Sequence, residues 1–313
     1  MHSVHACSIL LIVTFVYAGC SGEPASTGSG GAGGNGGGST SSTGSDASTS
    51  GTGGTGGTGG TGGTAGGGGS GGAGGGQASG LCAPGKYLLC EDFEGTDVGG
   101  IPQGWTKHGE PVAVADDEAV SGTRSLKMGA IESWERRIYH DGSMLGTGHW
   151  GRVRYKVQLP VPDAFVHSTI VALYGVGPTT GSQEVRVVDT VKEDKDGFNN
   201  DGNGSRVQYL YNVQPNGPEF GKGSDYNWKF DGQWHCAEWH IDGPTQSYDF
   251  YIDDQHVEQI SIANGAGNYS GSEIPNSFSE VRVGWTNYQK APPGFTAWVD
   301  DIALDNDRIG CAN

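Results

Sequence analysis

Sixty consecutive residues of this chain cannot contribute to a folded core, and that fact fixes where the fold must lie. Residues 21–80 hold 29 glycines, with Ser, Thr and Ala making up most of the rest, and they contain no Trp, Tyr, Phe or Cys. Such a stretch has almost no apolar surface to bury, so nothing offsets the entropy of ordering its backbone. It reads as a disordered Gly/Ser/Thr-rich tether, with Gly-Thr-Gly repeats at 51–64. A glycine-rich chain of this length spans about 43 Å, from ~5.5 Å × √n. All eight tryptophans and all 18 lysines and arginines fall in residues 81–313, a length that suits one large sandwich or barrel.

The charge belongs to the same segment. Glu23 and Asp46 are the only charged residues before 81, so 81–313 carries −15 of the chain's −17. That sign repels nucleic acid and anionic lipid, and no basic cluster offsets it. It suits solubility and would also concentrate cations such as calcium.

Ahead of the tether, Ser8–Gly19 form an apolar run of signal-peptide length, too short to span a bilayer comfortably. The run ends Tyr17-Ala18-Gly19-Cys20, which resembles the bacterial lipoprotein box, although Tyr17 stands where Leu is usual and His2 and His5 replace the usual basic residues. The organisation expected is a signal peptide at 1–19, a lipid-anchored linker at 20–80 with Cys20 lipidated, and a domain at 81–313. The resemblance implies an exported protein held at a bacterial membrane or cell surface. Within the domain, Cys82, Cys90, Cys236 and Cys311 read as two disulfides, and the sequence allows three pairings. With no Cys-x-x-Cys spacing, metal binding by these four is disfavoured.

Strand signals fill the domain and no twelve-residue window carries a 3.6-residue period. Arg152–Leu159, Ser205–Val213, Ser247–Asp253 and Glu280–Trp285 alternate apolar and polar residues with period two. Clusters such as Val161-Pro-Asp163, Asn216-Gly-Pro218 and Pro292-Pro-Gly294 punctuate them as turns. The pattern predicts an all-β, antiparallel two-sheet sandwich with a concave face.

Certain landmarks are more specific. The domain opens Leu88-Leu-Cys-Glu-Asp-Phe-Glu94, continues through Pro102-Gln-Gly-Trp105, Ser121–Lys127 and Gly232–Asp242, and closes Ala297-Trp-Val-Asp-Asp-Ile-Ala303 and Arg308-Ile-Gly-Cys311. Over 88–311 this order resembles the concanavalin A-like jelly rolls of polysaccharide lyases and carbohydrate-binding modules, nearest to the fungal cellulose-induced protein family and its glucuronan and alginate lyase relatives. The resemblance implies that the first and last strands pair, which makes Cys82–Cys311 and Cys90–Cys236 the natural bridges. It also implies a structural calcium held by Glu94 or Asp92 from the first strand, Asp300 or Asp301 from the last, and carbonyls near Ser121–Arg124. A second acidic segment, Glu193–Gly204, fails the EF-hand pattern and reads as a solvated loop or a groove rim.

The activity implied is β-elimination on a uronate-containing polysaccharide. That chemistry needs a cation on the uronate carboxylate, a base for the C5 proton and an acid for the leaving oxygen. Arg152 or Arg154 is the expected neutraliser, since an arginine fork matches a carboxylate, His167 the base and Tyr211 the acid. His149, Lys156, Gln208 and Tyr209 are expected to line the substrate, and Trp239, Trp285 and Tyr288 to stack on sugar rings. A non-catalytic carbohydrate-binding or adhesion module of the same fold is the alternative. Surface charges and core aromatics on ordinary strands would look the same in sequence.

Overall fold

Alternation along the strands is realised as two antiparallel sheets facing each other across one apolar layer. The structure is a computed structural model that describes residues 80–132, 134–197, 202, 204–214, 220–262 and 273–312. The leader, Cys20 and the glycine-rich segment lie outside the described residues.

In chain order the strands are β1 (Leu89–Glu91), β2 (Thr106–Gly109), β3 (Val112–Ala115), β4 (Ser125–Ile131), β5 (Trp134–Asp141), β6 (Gly148–Val157), β7 (Val166–Gly177) and β8 (Gly181–Lys192). They continue as β9 (Arg206–Gln214), β10 (Phe220–Gly223), β11 (Trp228–Lys229), β12 (His235–Asp242), β13 (Ser247–Ile252), β14 (Gln255–His256), β15 (Ser277–Asn287) and β16 (Phe295–Asp305). One sheet, sheet A, runs β14-β13-β12-β6-β16-β4-β3, with β1 also on β16. The other, sheet B, runs β10-β9-β8-β7-β15-β5-β2, with β11 also on β9. Among the described residues there is no α-helix, only short 3-10 turns at Gly80–Cys82 and Ser143–Leu145. This is the expected jelly-roll sandwich.

Period two decides which side chains enter the core. On β6, Val153, Tyr155 and Val157 point inward; on β9, Val207, Tyr209, Tyr211 and Val213 do the same. The Tyr155 and Tyr209 hydroxyls meet between the sheets, which satisfies both buried polar atoms at once. Trp239 and Trp285 are fully buried, each withdrawing a large apolar surface from water. Gly151 is required beneath Trp239, because a Cβ there would stand 2.1 Å from the indole.

The first and last strands pair, with Leu89 opposite Leu304 and Cys90 opposite Ala303. The bridges nevertheless differ from those expected: Cys82 joins Cys90, and Cys236 joins Cys311. Cys311 lies past the end of β16, and the tail that carries it turns back across sheet A to β12 instead of running beside β1. Cys82 then closes a short loop onto β1, where Cys90 is within reach.

Candidate functional site

The tail that relocates Cys311 also covers the arginines singled out from the sequence. Arg152, Arg154 and Lys156 share the outer face of sheet A. Arg152 Nη1 donates to the Gly310 carbonyl at 3.1 Å, and Arg154 donates to the Cys311 carbonyl and lies 3.7 Å from Asp301. Lys156 pairs with Glu118 at 2.8 Å. Buried Glu238, opposite Arg152, accepts from the Arg308 guanidinium and from the Ile309 and Gly310 amides. Arg152 and Arg154 fasten residues 310 and 311 and Lys156 is taken up by Glu118, so the expected neutralising role for Arg152 and Arg154 and the substrate contact for Lys156 are corrected.

Other expected residues lie between the sheets. Tyr209 and Tyr211 are buried in the core, as are Trp239 and Trp285, whose rings are 0% exposed and offer no face to a sugar. His149 is buried too; burial pushes its imidazole down to about 3, and its Nε2 accepts from Trp239 Nε1 at 3.4 Å. Tyr211 as acid, Tyr209 and His149 as substrate contacts, and both tryptophans as stacking platforms are corrected on this ground. His167, Gln208 and Tyr288 do reach an outer face together, that of sheet B.

That face is built by cross-strand register. Thr106 (β2), Tyr139 (β5), Arg282 (β15), Ala172 (β7), Arg186 (β8) and Asn212 (β9) stand successively opposite one another, forming one row across the sheet. Arg137 stands beside the row on β5. It lies opposite Gly284, whose φ is +139° and where a Cβ would sit 2.4 Å from the Arg136 carbonyl. Each guanidinium is layered on tyrosine: Arg282 lies 3.5 Å from the Tyr174 ring centre and 4.1 Å from that of Tyr139, and Arg186 lies 4.2 Å from Tyr288. Acids flank them. Glu135 meets Arg137 at 2.7 Å, Glu280 pairs with Arg282, and Glu184 lies 3.7 Å from Arg186 and 3.9 Å from Arg137. Burial alone would raise Glu135, yet Arg137 and the Tyr139 hydroxyl hold it below the usual carboxylate value.

At one end of the face a hydrogen-bonded cluster forms around His167. Its Nε2 is 2.6 Å from Asp189 Oδ2, and Asp189 is fully buried. Thr169 Oγ1 donates to Asp189 Oδ1 at 2.7 Å and lies 3.0 Å from the Tyr288 hydroxyl. The Tyr288 amide donates to the His167 carbonyl, and the two rings are centred 4.9 Å apart. Burial pushes Tyr288 up to about 12 although Arg186 opposes it, and burial with the Glu135 contact pushes Tyr139 up to about 12. Both phenols therefore keep their protons at neutral pH. The arrangement supplies an imidazole oriented by a carboxylate, a phenolic proton donor and a guanidinium within one cluster. Arg137, Arg186, Arg282, Tyr139, Tyr174 and Asp189 were missed in the sequence. Their signal is the polar half of an alternating strand, as in Glu184-Val-Arg186, and only the β7–β8 register joins Asp189 to His167.

The acids expected to hold calcium converge on one loop. Glu94 accepts from the Thr123 and Arg124 amides, each at 2.7 Å; Asp300 accepts from Val120 at 2.9 Å; and Asp301 accepts from Ser121 Oγ at 2.7 Å. Asp92 is bound locally, taking the Glu94 amide at 3.3 Å. Burial and neighbouring Asp301 push Asp300 up to about 8, although the Val120, Asp301 and Ser121 amides oppose the shift. Among the described residues no three His, Cys, Asp or Glu side chains converge as a metal-holding group, so most ligands would have to be loop carbonyls.

No family model matches this chain, and no curated relative does. Among solved structures it is similar to Cellulose induced protein, Cip1, at 16% identity over 72% of this chain and all of that one, with a TM-score of 0.50. It is also similar to alginate lyase Aly36B, at 13% identity, 66% and 87% coverage and a TM-score of 0.44. Alginate lyase vAL-1 from Chlorella virus matches at 10% identity, 65% and 93% coverage and a TM-score of 0.43. At 16% identity and a TM-score of 0.50, the likeness to the cellulose induced protein is one of fold.

Proposed function

We propose that the chain is a carbohydrate-active enzyme that cleaves a uronate-containing polysaccharide by β-elimination on the outer face of sheet B. One observation carries this reading: His167, Tyr288 and Arg186 occupy a single cluster, with the His167 and Tyr288 rings 4.9 Å apart and Arg186 lying 4.2 Å over Tyr288. A jelly roll hosts many activities, so the argument rests on the site and not on the fold. In the proposed reaction Arg186 faces the uronate carboxylate and stabilises charge that builds there as the C5 proton leaves. Asp189 orients the His167 ring through Nε2, leaving Nδ1 to accept that proton. The C5–H electron pair becomes the C4–C5 double bond, the C4–O bond breaks, and the departing oxygen takes the Tyr288 proton. The products are a new end and an unsaturated uronate.

A non-catalytic binding or adhesion module is the second reading. It is favoured by the carboxylates of Glu135, Glu184 and Glu280, which already partner the arginines of the face. Incubation with alginate, glucuronan and pectate, followed by ultraviolet detection of unsaturated product, separates the two. Product is expected from at least one polymer, with His167→Ala lowering turnover by about 10²- to 10⁴-fold. Retained binding to a polysaccharide with no product from any polyuronate would leave only the binding module.

The same proposal includes a structural calcium between Glu94, Asp300 and the carbonyls of residues 120–124, where the raised Asp300 would gain a countercharge. Chelation should then lower the melting temperature, and an unchanged melt removes the ion from the proposal. Export with lipidation at Cys20 is proposed as well, and two disulfides suit an oxidising compartment. Cys20→Ser should move the protein from the membrane fraction to the soluble one, and no change in partition would count against the anchor. Among the described residues no helix is long and apolar enough to cross a membrane.

A further inference from the structure

The layered rings on the outer face of sheet B do not stop at Arg282. His108, on β2, lies nearly parallel to Tyr139, with ring centres 3.7 Å apart and 9° between the planes. Register places it on that face, since Thr106 stands opposite Tyr139 and His108 opposite Arg137. Tyr174, Arg282, Tyr139 and His108 therefore form one stack across adjacent strands, and it ends at the sheet edge on an exposed imidazole. That imidazole lines a cavity of 210 Å³ together with Thr106, Tyr139, Asp141, Ser279 and Glu280. Pockets for drug-sized ligands run to roughly 300–1,000 Å³, so this one suits a single sugar ring.

The cavity differs in charge from the rest of the face. Asp141 and Glu280 stand directly opposite each other in register. The Ser143 amide and hydroxyl donate to Asp141 at 3.0 and 2.9 Å and hold its carboxyl below the usual carboxylate value. Arg282 is already paired with Glu280. Carboxylates accept sugar hydroxyls and repel another carboxylate, so this lining favours a neutral ring over a uronate. In the row across the sheet β2 is three strands from β7, and Ala172 of that row lies five residues past His167. At ~4.8 Å per strand and ~3.3 Å per residue the cavity is about 20 Å from His167, several sugar units along a bound chain.

We infer that this cavity is a distal subsite for a neutral sugar stacked on His108, so that the polymer bound on this face mixes neutral sugars with its uronates. The inference rests on the reading that the face binds a uronate-containing polysaccharide, and it narrows that class.

Calorimetry with the full chain can compare oligomers of hyaluronan, in which uronate and neutral sugar alternate, with oligomers of glucuronan, which are uronate throughout. Hyaluronan octamers should bind about tenfold tighter than glucuronan octamers, with no such gap between dimers. His108→Ala should cost the hyaluronan octamer about tenfold, the scale of one aromatic contact, and leave dimers and the melting temperature unchanged. His108→Phe keeps a ring and should retain most of the affinity, whereas Asp141→Lys should tighten the glucuronan octamer. Wild-type affinity in His108→Ala for every oligomer that binds overturns the subsite even where unsaturated product forms. So does a glucuronan octamer that binds as tightly as the hyaluronan one. Binding that depends on His108, without unsaturated product from hyaluronan or any polyuronate, overturns β-elimination and leaves the subsite standing. Wild-type protein that binds neither octamer overturns the subsite alone if alginate or pectate is cleaved, and both readings if neither is.

Discussion

The two outer faces of the sandwich carry arginines on equally alternating strands and put them to opposite uses. On sheet A, Arg152 and Arg154 are met by carbonyls of the chain's own last residues, and Cys236–Cys311 rivets that tail in place. On sheet B, Arg186 and Arg282 are layered on tyrosine rings with acids beside them, in a cluster that also holds the oriented His167. An arginine bound to a backbone carbonyl has its direction fixed for packing. One layered on a tyrosine here also has a carboxylate beside it, Glu184 at Arg186 and Glu280 at Arg282, so it stands in a charged cluster and not under a backbone cover. The difference lies in what crosses the face, not in the residue.

The comparison breaks most visibly at the disulfide that holds the tail. Replacing Cys236 and Cys311 by Ala opens a loop with a 75-residue separation and should cost about 4 kcal/mol of stability on the chain-entropy account. Denaturant melts would show this; a variant as stable as wild type would mean the tail holds without its bridge. Next in size is the exchange between faces. Arg186→Ala should lower turnover of the cleaved polyuronate about 10²- to 10³-fold, ~3–4 kcal/mol, with an unchanged melt. Arg154→Ala should do the reverse, lowering the melt and sparing turnover, and the opposite pattern would return the site to sheet A. The smallest effect concerns His149, on the same strand as Arg154 but facing the core. Burial holds its folded-state pKa at about 3, against 6.5 for an ordinary imidazole, so the folded protein carries it neutral. Its contribution is complete above pH 6.5 and is lost as pH falls toward 3, by about 1.4 kcal/mol per unit. His149→Gln, which keeps an acceptor for Trp239, should flatten the melt between pH 6.5 and 5. Parallel curves for variant and wild type would refute this.

Much of the fold was legible because strand alternation is a local property. The runs at 152–159, 205–213 and 280–285 all became strands, and the first and last strands paired as the resemblance implied. The site was less legible because period two separates a strand into faces without saying which face meets the other sheet. Tyr209 and Tyr211 sat on the inward side, and Gln208 on the outward one. Nor does a strand's own sequence announce a cover laid down by residues 157 and 158 positions later, which is what happened to Arg154 and Arg152. The disulfide pairing failed for the same reason: Cys311 follows a tail beyond β16. His167 was visible as an isolated histidine at a strand start, whereas Asp189 became its partner only through hairpin register.

One feature of the first strand bears on how the domain carries a mechanical load. Tension applied upstream of Cys82 crosses the Cys82–Cys90 bridge and enters β1 at Cys90, bypassing residues 83–89. From there it passes along β1 into β16, whose paired positions Leu89–Leu304, Cys90–Ala303 and Glu91–Ile302 lie perpendicular to the pull and are loaded in shear. The closed ring cannot lengthen, so force is delivered to β16, a strand buried along its length from Phe295 to Leu304.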